Sequence, residues 1–184
     1  SPRNGDLSIM IDSHAKLLER IRQELHGCQT AFEVGKYLHE LSERLLEDDV
    51  HDITFRQIIE LVRIKGRSRG VLFDFMKFYR LYSDQPSGLM NQLPDQTAYV
   101  LARTVYQGRI SRSTKLRPDN FRMPPSEALE IALSRKYSPE NLAKAILEGG
   151  AGNIGGFKGE GEIEDWFSNS GVVKSMGIQF LYEQ

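Results

Sequence analysis

The amino-acid sequence predicts an all-α protein: a compact multi-helix domain over residues 1–148, followed by a glycine-rich linker at 149–161 and a short β-like tail at 162–184. Two observations predict it. Apolar residues recur at the 3.6-residue spacing of amphipathic helices through most of the first 148 positions, and these periodic runs are bounded by capping and stop signals.

The first run, Leu7 to Leu25, places Leu7, Ile11, Leu18, Ile21 and Leu25 on one face, and His26-Gly27 supplies its stop. Thr30 with Glu33 three residues on reads as a capping box, and Phe32, Val34, Leu38, Leu41, Leu45 and Leu46 form the stripe of a second helix. Its end carries Glu47-Asp48-Asp49, acidic where the helix dipole disfavours acid, so the helix should yield to a loop there. A third helix begins near Thr54 or Phe55 and ends before Lys65-Gly66. A fourth, Ser68 to Tyr82, is apolar around most of its circumference, which predicts neighbours on several sides. Ser83 to Gly88 breaks the pattern, and Asp95 or Thr97 opens a helix that Gly108 ends. Arg109 to Pro125, cationic and proline-rich, reads as a loop. Ser126 to Arg135 is helical again, and Ser138-Pro139-Glu140, a serine cap before a first-turn proline, starts a helix reaching Leu147.

Seven of the thirteen residues from Gly149 to Gly161 are glycine, hence the linker. Beyond it, Val172 to Lys174 and Ile178 to Tyr182 read as short strands. Two such strands are marginal alone, so the tail needs a surface to pack on.

At 184 residues the chain has room for one core, and 40% hydrophobic with 27% charged residues is ordinary for a globular protein. No stretch approaches the ~18 consecutive apolar residues of a membrane span, and no secretory signal is expected. The single cysteine, Cys28, excludes an internal disulfide and fits a reducing, cytoplasmic setting. The formal charge of -1 conceals a basic centre. Thirteen Lys and Arg face five Asp and Glu between Phe55 and Arg122, a net of +8, which leaves -9 for the flanks.

No catalytic constellation, metal set or cofactor motif emerges, so a non-enzymatic protein is expected, with no metal and no cofactor. Gly150, Gly152 and Gly155 spell GxGxxG, but a helix precedes them where a dinucleotide site needs a strand. The four histidines lack metal spacing, the cluster Asp48, Asp49, His51 and Asp52 reads as a solvated loop end, and Cys28 has no neighbouring base in sequence.

The segment 54–82 carries the sharpest signal. It reads as a helix-turn-helix-like hairpin with Gly66 in its turn, and Lys65, Arg67, Ser68 and Arg69 stand at the start of its second helix. There side chains can meet base edges, and free amides favour phosphate. Arg63, Lys77 and Arg80 extend the charge, and Arg109, Arg112, Lys115 and Arg117 add further phosphate contacts. The expected partner is DNA. One departure stands out: Val62 lies four residues before the turn glycine, where close helix packing favours Ala or Gly. The alternative is a protein-interaction adaptor using Trp166, Phe167, Ile178, Phe180 and Tyr182 of the tail to bind a protein partner or a second copy as a homodimer.

Three strings carry a resemblance: Thr54-Phe55-Arg56-Gln57-Ile58-Ile59-Glu60-Leu61-Val62, Phe78-Tyr79-Arg80-Leu81-Tyr82, and Leu93-Pro94-Asp95-Gln96-Thr97-Ala98-Tyr99-Val100-Leu101-Ala102. In order and spacing they resemble the chlamydial virulence-plasmid maintenance protein family, comprising the plasmid protein and its chromosomal paralogue. The layout is more loosely similar to phage and plasmid helix-turn-helix proteins. The resemblance spans Phe32 to Arg103 and rests mostly on packing positions. It implies plasmid maintenance, partition or transcriptional regulation, with no catalytic residue to carry over.

Overall fold

The computed structural model describes residues 14–47, 52–108, 110, 115–134 and 137–149. Within them eight α-helices form: α1 Ala15–Gly27, α2 Ala31–Glu47, α3 Phe55–Val62, α4 Arg69–Tyr82, α5 Ser87–Met90, α6 Asp95–Val105, α7 Pro125–Ser134 and α8 Pro139–Gly149. A 3₁₀ turn, Pro118–Asn120, and one antiparallel bridge between Tyr106 and Phe121 complete the regular structure of these residues. The Leu7 start expected for the first helix, the acidic run at 48–49, Arg135 and the linker and tail from residue 150 onward lie outside the described residues. Helix α8 continues to Gly149, one residue into the stretch read as linker.

Local chemistry sets the helix starts. Thr54 accepts from the Gln57 amide at 3.1 Å while the Gln57 side chain accepts from the Thr54 amide at 2.8 Å, which closes a capping box. At α2 the Glu33 amide reaches Thr30 Oγ1 at 3.1 Å, but the Glu33 carboxylate takes the amide of Gln29, one residue outside the expected box. Ser68 and Ser138 cap α4 and α8 through the amides of Val71 and Asn141.

Helix α4 is the axis of the body. Nine of its fourteen residues are buried, because α2 covers one side and α6 another, and α6 in turn carries α7 and α8. Phe32 of α2 meets Phe78 and Tyr79 of α4 at ring separations of 6.0 and 5.1 Å. The contact is close because Gly35 lays its backbone against that of α4 at Phe75. The two halves of the 54–82 segment pack differently from a self-contained hairpin. Helix α3 rests mainly on α1, and α4 has its largest interfaces with α2 and α6. Val62 is fully buried within this arrangement.

The C-terminus of α3 is closed from α1. Arg22 donates through Nε to the Val62 carbonyl at 2.6 Å and through Nη2 to the Leu61 carbonyl at 3.0 Å, satisfying acceptors that a helix end leaves open. Arg63 then turns the chain with φ of 48°, the one non-glycine residue with positive φ among the described residues. A side chain in this left-handed conformation costs about 1–2 kcal/mol. Arg63→Gly is therefore expected to raise stability by about 0.5–1 kcal/mol, part of the relief being lost to glycine's greater unfolded freedom. Equilibrium urea unfolding measures it, and a loss of stability would show that the Arg63 side chain contributes more than its backbone strain costs.

Candidate nucleic-acid interface

The α3–α4 connection is built to project polar groups. Gly66, with φ of 80°, bends the chain, the Arg67 amide donates to the Ile64 carbonyl at 3.2 Å, and Ser68 begins α4. Arg63, Lys65, Ser68 and Arg69 are exposed, and the Val71 and Leu72 amides at the start of α4 are taken by Ser68.

The charges at this edge are partly answered from within. Arg67 is held: its guanidinium lies 3.6 Å from the Asp95 carboxylate and over the Phe75 ring at 5.6 Å, leaving the side chain 20% exposed. Arg69 forms an ion pair with Glu60, which also lies 4.0 Å from Arg56. Because both partners are about 40% exposed, that pair is worth at most about 1 kcal/mol, and Arg69 can exchange it for a phosphate. Ser68 Oγ is committed to its cap. Arg63 and Lys65 make no ion pair among the described residues.

Two residues expected to extend this edge face inward. Lys77 lies on the α6 side of α4, where its Nζ donates to the Tyr106 and Gly108 carbonyls at 2.8 and 2.9 Å and lies 4.9 Å from the Tyr106 ring centre. Burial lowers its pKa from 10.5 to about 8, with Asp74 opposing and the Arg103 and Arg122 charges adding to the fall. Arg80 donates through Nε to His39 Nδ1 at 3.0 Å and through Nη2 to Ser42 Oγ at 3.4 Å. The other imidazole nitrogen of His39 meets Glu43 at 3.1 Å. Both are packing cations of the α4 interfaces, because a helix surrounded on several sides has little polar face to offer solvent.

A second basic region lies further along α4. Arg67 pairs with Asp95, Asp74 with Arg103 at 3.7 Å, and Lys77 with the chain just past α6, so α4 and α6 run parallel. Eight residues of helix, about 12 Å, separate Arg69 at the start of α4 from Lys77. At the Lys77 end the 106–122 loop is closed at its base: Gln107 donates to the Asn120 carbonyl and the Arg122 amide to the Val105 carbonyl, each at 2.8 Å. The Arg117 amide donates to Tyr106 Oη at 3.1 Å. Lys115 and Arg117 are exposed and make no ion pair among the described residues. Arg109 and Arg112 lie outside the described residues, as do Trp166, Phe167, Ile178, Phe180 and Tyr182 of the adaptor alternative and the GxGxxG glycines.

The opposite sign gathers elsewhere. Glu24 of α1 and Glu33, Glu40, Glu43 and Glu47 of α2 line an open groove of about 840 Å³ with Tyr37, Cys28 and a single cation, Arg44. Burial raises the Cys28 thiol pKa, and Glu33 adds to it, which is the reverse of what an activated nucleophile needs. No group of three or more His, Cys, Asp or Glu able to hold a metal occurs among the described residues, and Asp52 of the acidic cluster pairs with His14 at 3.0 Å. No described helix is long and apolar enough to cross a membrane.

Sequence reasoning does not reach the cluster that Asp74 and Lys77, both buried, form with the half-buried Arg122 and the exposed Arg103, and it places Lys77 outward. Its legible hint is the pair of opposite charges Asp74 and Lys77, three residues apart, inside the most apolar run of the chain. Comparison with family models, curated proteins and solved structures finds no match for this chain.

Proposed function

We propose that this is a non-enzymatic DNA-binding protein that holds the duplex through its phosphates, serving plasmid maintenance, partition or regulation as the family resemblance implies. The observation that carries the reading is the survival of Arg63, Lys65, Lys115 and Arg117 as exposed cations in two groups beside the α4–α6 pair. They have no carboxylate at ion-pair distance among the described residues, although the central region around them contains acids that pair with its other cations. Helix α4 offers its first turn to the backbone and does not enter a groove, since the rest of the helix is enclosed. Contacts of this kind position a protein on DNA and carry little sequence information.

Four neutralised phosphates give an expected log–log salt slope of about -3.6, a loss of roughly 100-fold in affinity between 50 and 200 mM salt. Lys65→Gln should lower the slope by about 1 at every duplex sequence tried. Replacing all four cations by glutamine should remove most of the salt dependence together with the affinity, while far-UV dichroism is retained. Fluorescence anisotropy with a labelled duplex measures this. Equal affinity of the four-fold variant and the native chain would end the assignment.

A further inference from the structure

Arg122 is the residue whose environment the fold leaves unexplained. Its backbone is fixed opposite Val105 at the base of the 106–122 loop, and Nε and Nη1 of its guanidinium are enclosed without a hydrogen-bond partner among the described residues. Buried donors are nearly always paired, so two open ones on a single cation call for a reason. The surroundings make the position worse for a cation. Lys77 is close enough for its charge to be felt, and both of the carbonyls it binds lie on the same loop base. The carboxylate of the cluster, Asp74, is engaged by Arg103 at 3.7 Å. Arg103 and Lys77 both draw on that one acid, and burial lowers the Arg122 pKa as it does that of Lys77. Arg122 as a whole is half-buried, and the exposed Arg117 is tied through its amide to Tyr106, the residue whose carbonyl and ring Lys77 meets.

We propose that Arg122 anchors a phosphate-binding site at the foot of the 106–122 loop, with Lys77 supplying charge from behind and Arg117, tied to Tyr106 through its amide, adding charge from the loop. A phosphate suits the position because it brings multiple acceptor oxygens to open donors and negative charge to a locally cationic cluster. The guanidinium turns outward to meet it, trading an unsatisfied buried state for a charge-assisted one. The phosphate can be a free phosphate group or one of the nucleic-acid backbone. In the second case the site deepens the DNA reading and adds a contact that does not depend on the α3–α4 turn.

The test uses the full chain with three probes: inorganic phosphate and pyrophosphate, titrated against chloride at matched ionic strength, and a labelled duplex. Saturable binding by calorimetry is expected for at least one probe, and Arg122→Gln should weaken it about 10-fold or more, the value of lost charge-assisted hydrogen bonds. Arg122→Lys keeps the charge with fewer donors and should fall between, which guards against a glutamine variant that folds poorly. Binding of free phosphate or pyrophosphate without duplex binding keeps this site and removes the DNA reading. Duplex binding that weakens in the glutamine variant, with no saturable uptake of the free anions, assigns the backbone as the source. Equal binding by native chain and both variants, or no saturable binding of any probe, overturns the proposal.

Discussion

Replacing Gly35 with alanine is expected to destabilise the protein by about 3 kcal/mol or more, at the upper end of what overpacking a core costs. Helix propensity alone argues the other way, since alanine is favoured over glycine within a helix by about 1 kcal/mol. The outcome therefore separates local preference from packing. A Cβ on Gly35 would lie 2.8 Å from both the Phe75 carbonyl carbon and Tyr79 Cβ, and nearer still to the Phe75 carbonyl oxygen. These atoms are backbone or fixed to it, so no change of rotamer relieves the clash. The helices α2 and α4 must separate, and the contacts of Phe32 with Phe78 and Tyr79 loosen with them. Gly70→Ala is the control: its Cβ meets Ser68 Oγ at 3.8 Å and nothing nearer, so stability should hold or rise by up to about 1 kcal/mol. Urea unfolding of both variants decides the matter. An alanine-35 protein within about 1 kcal/mol of the native chain would mean that the α2–α4 contact is looser than described.

The second large effect is a pH dependence centred on Asp74. Burial pushes its carboxyl from 3.8 up to about 6, with Arg103 and then Lys77 opposing. The folded state therefore holds this proton more tightly than the unfolded chain. The stability it contributes is fully present below pH 3.8 and is lost as pH rises through about 6, a loss on the order of 3 kcal/mol. Lys77 mirrors it. Its folded pKa of about 8 lies below the ordinary 10.5, so stability is recovered as pH climbs from about 8 toward 10.5. Together the two make this cluster's contribution lowest between about pH 6 and 8. Asp74→Asn removes the acid limb, so the difference in unfolding free energy should tilt toward the asparagine variant by up to about 3 kcal/mol between pH 4 and 7. A difference that stays flat over that interval would show that water reaches the carboxylate.

The helical class was legible because its signals are local. Thr54, Ser68 and Ser138 each bond to an amide three residues away, and the apolar stripe of α2 needs only seventeen residues to declare itself. What escaped is set by residues distant in sequence. Arg22 closes α3 from 39 and 40 residues away, and nothing near either partner announces it. Nothing local to Gly35 announces the close approach of α4, which only the packing of Phe75 and Tyr79 against it reveals. The basic stretch was visible in composition, yet its division into held and available cations depends on α6 running parallel to α4. That arrangement brings Asp95 to Arg67 and the loop carbonyls to Lys77. Charge can be counted along a chain, but neutralisation is decided by which helices become neighbours.

The bridge between Tyr106 and Phe121 has an evolutionary consequence. Because the chain departs from and rejoins the body at adjacent points, lengthening the excursion between Ile110 and Lys115, inside the contacts that Gly108, Leu116 and Arg117 make with the body, costs only slowly growing closure entropy. Descendants of this protein can acquire new sequence there without repacking a helix, and an engineer can graft a reporter domain at the same place.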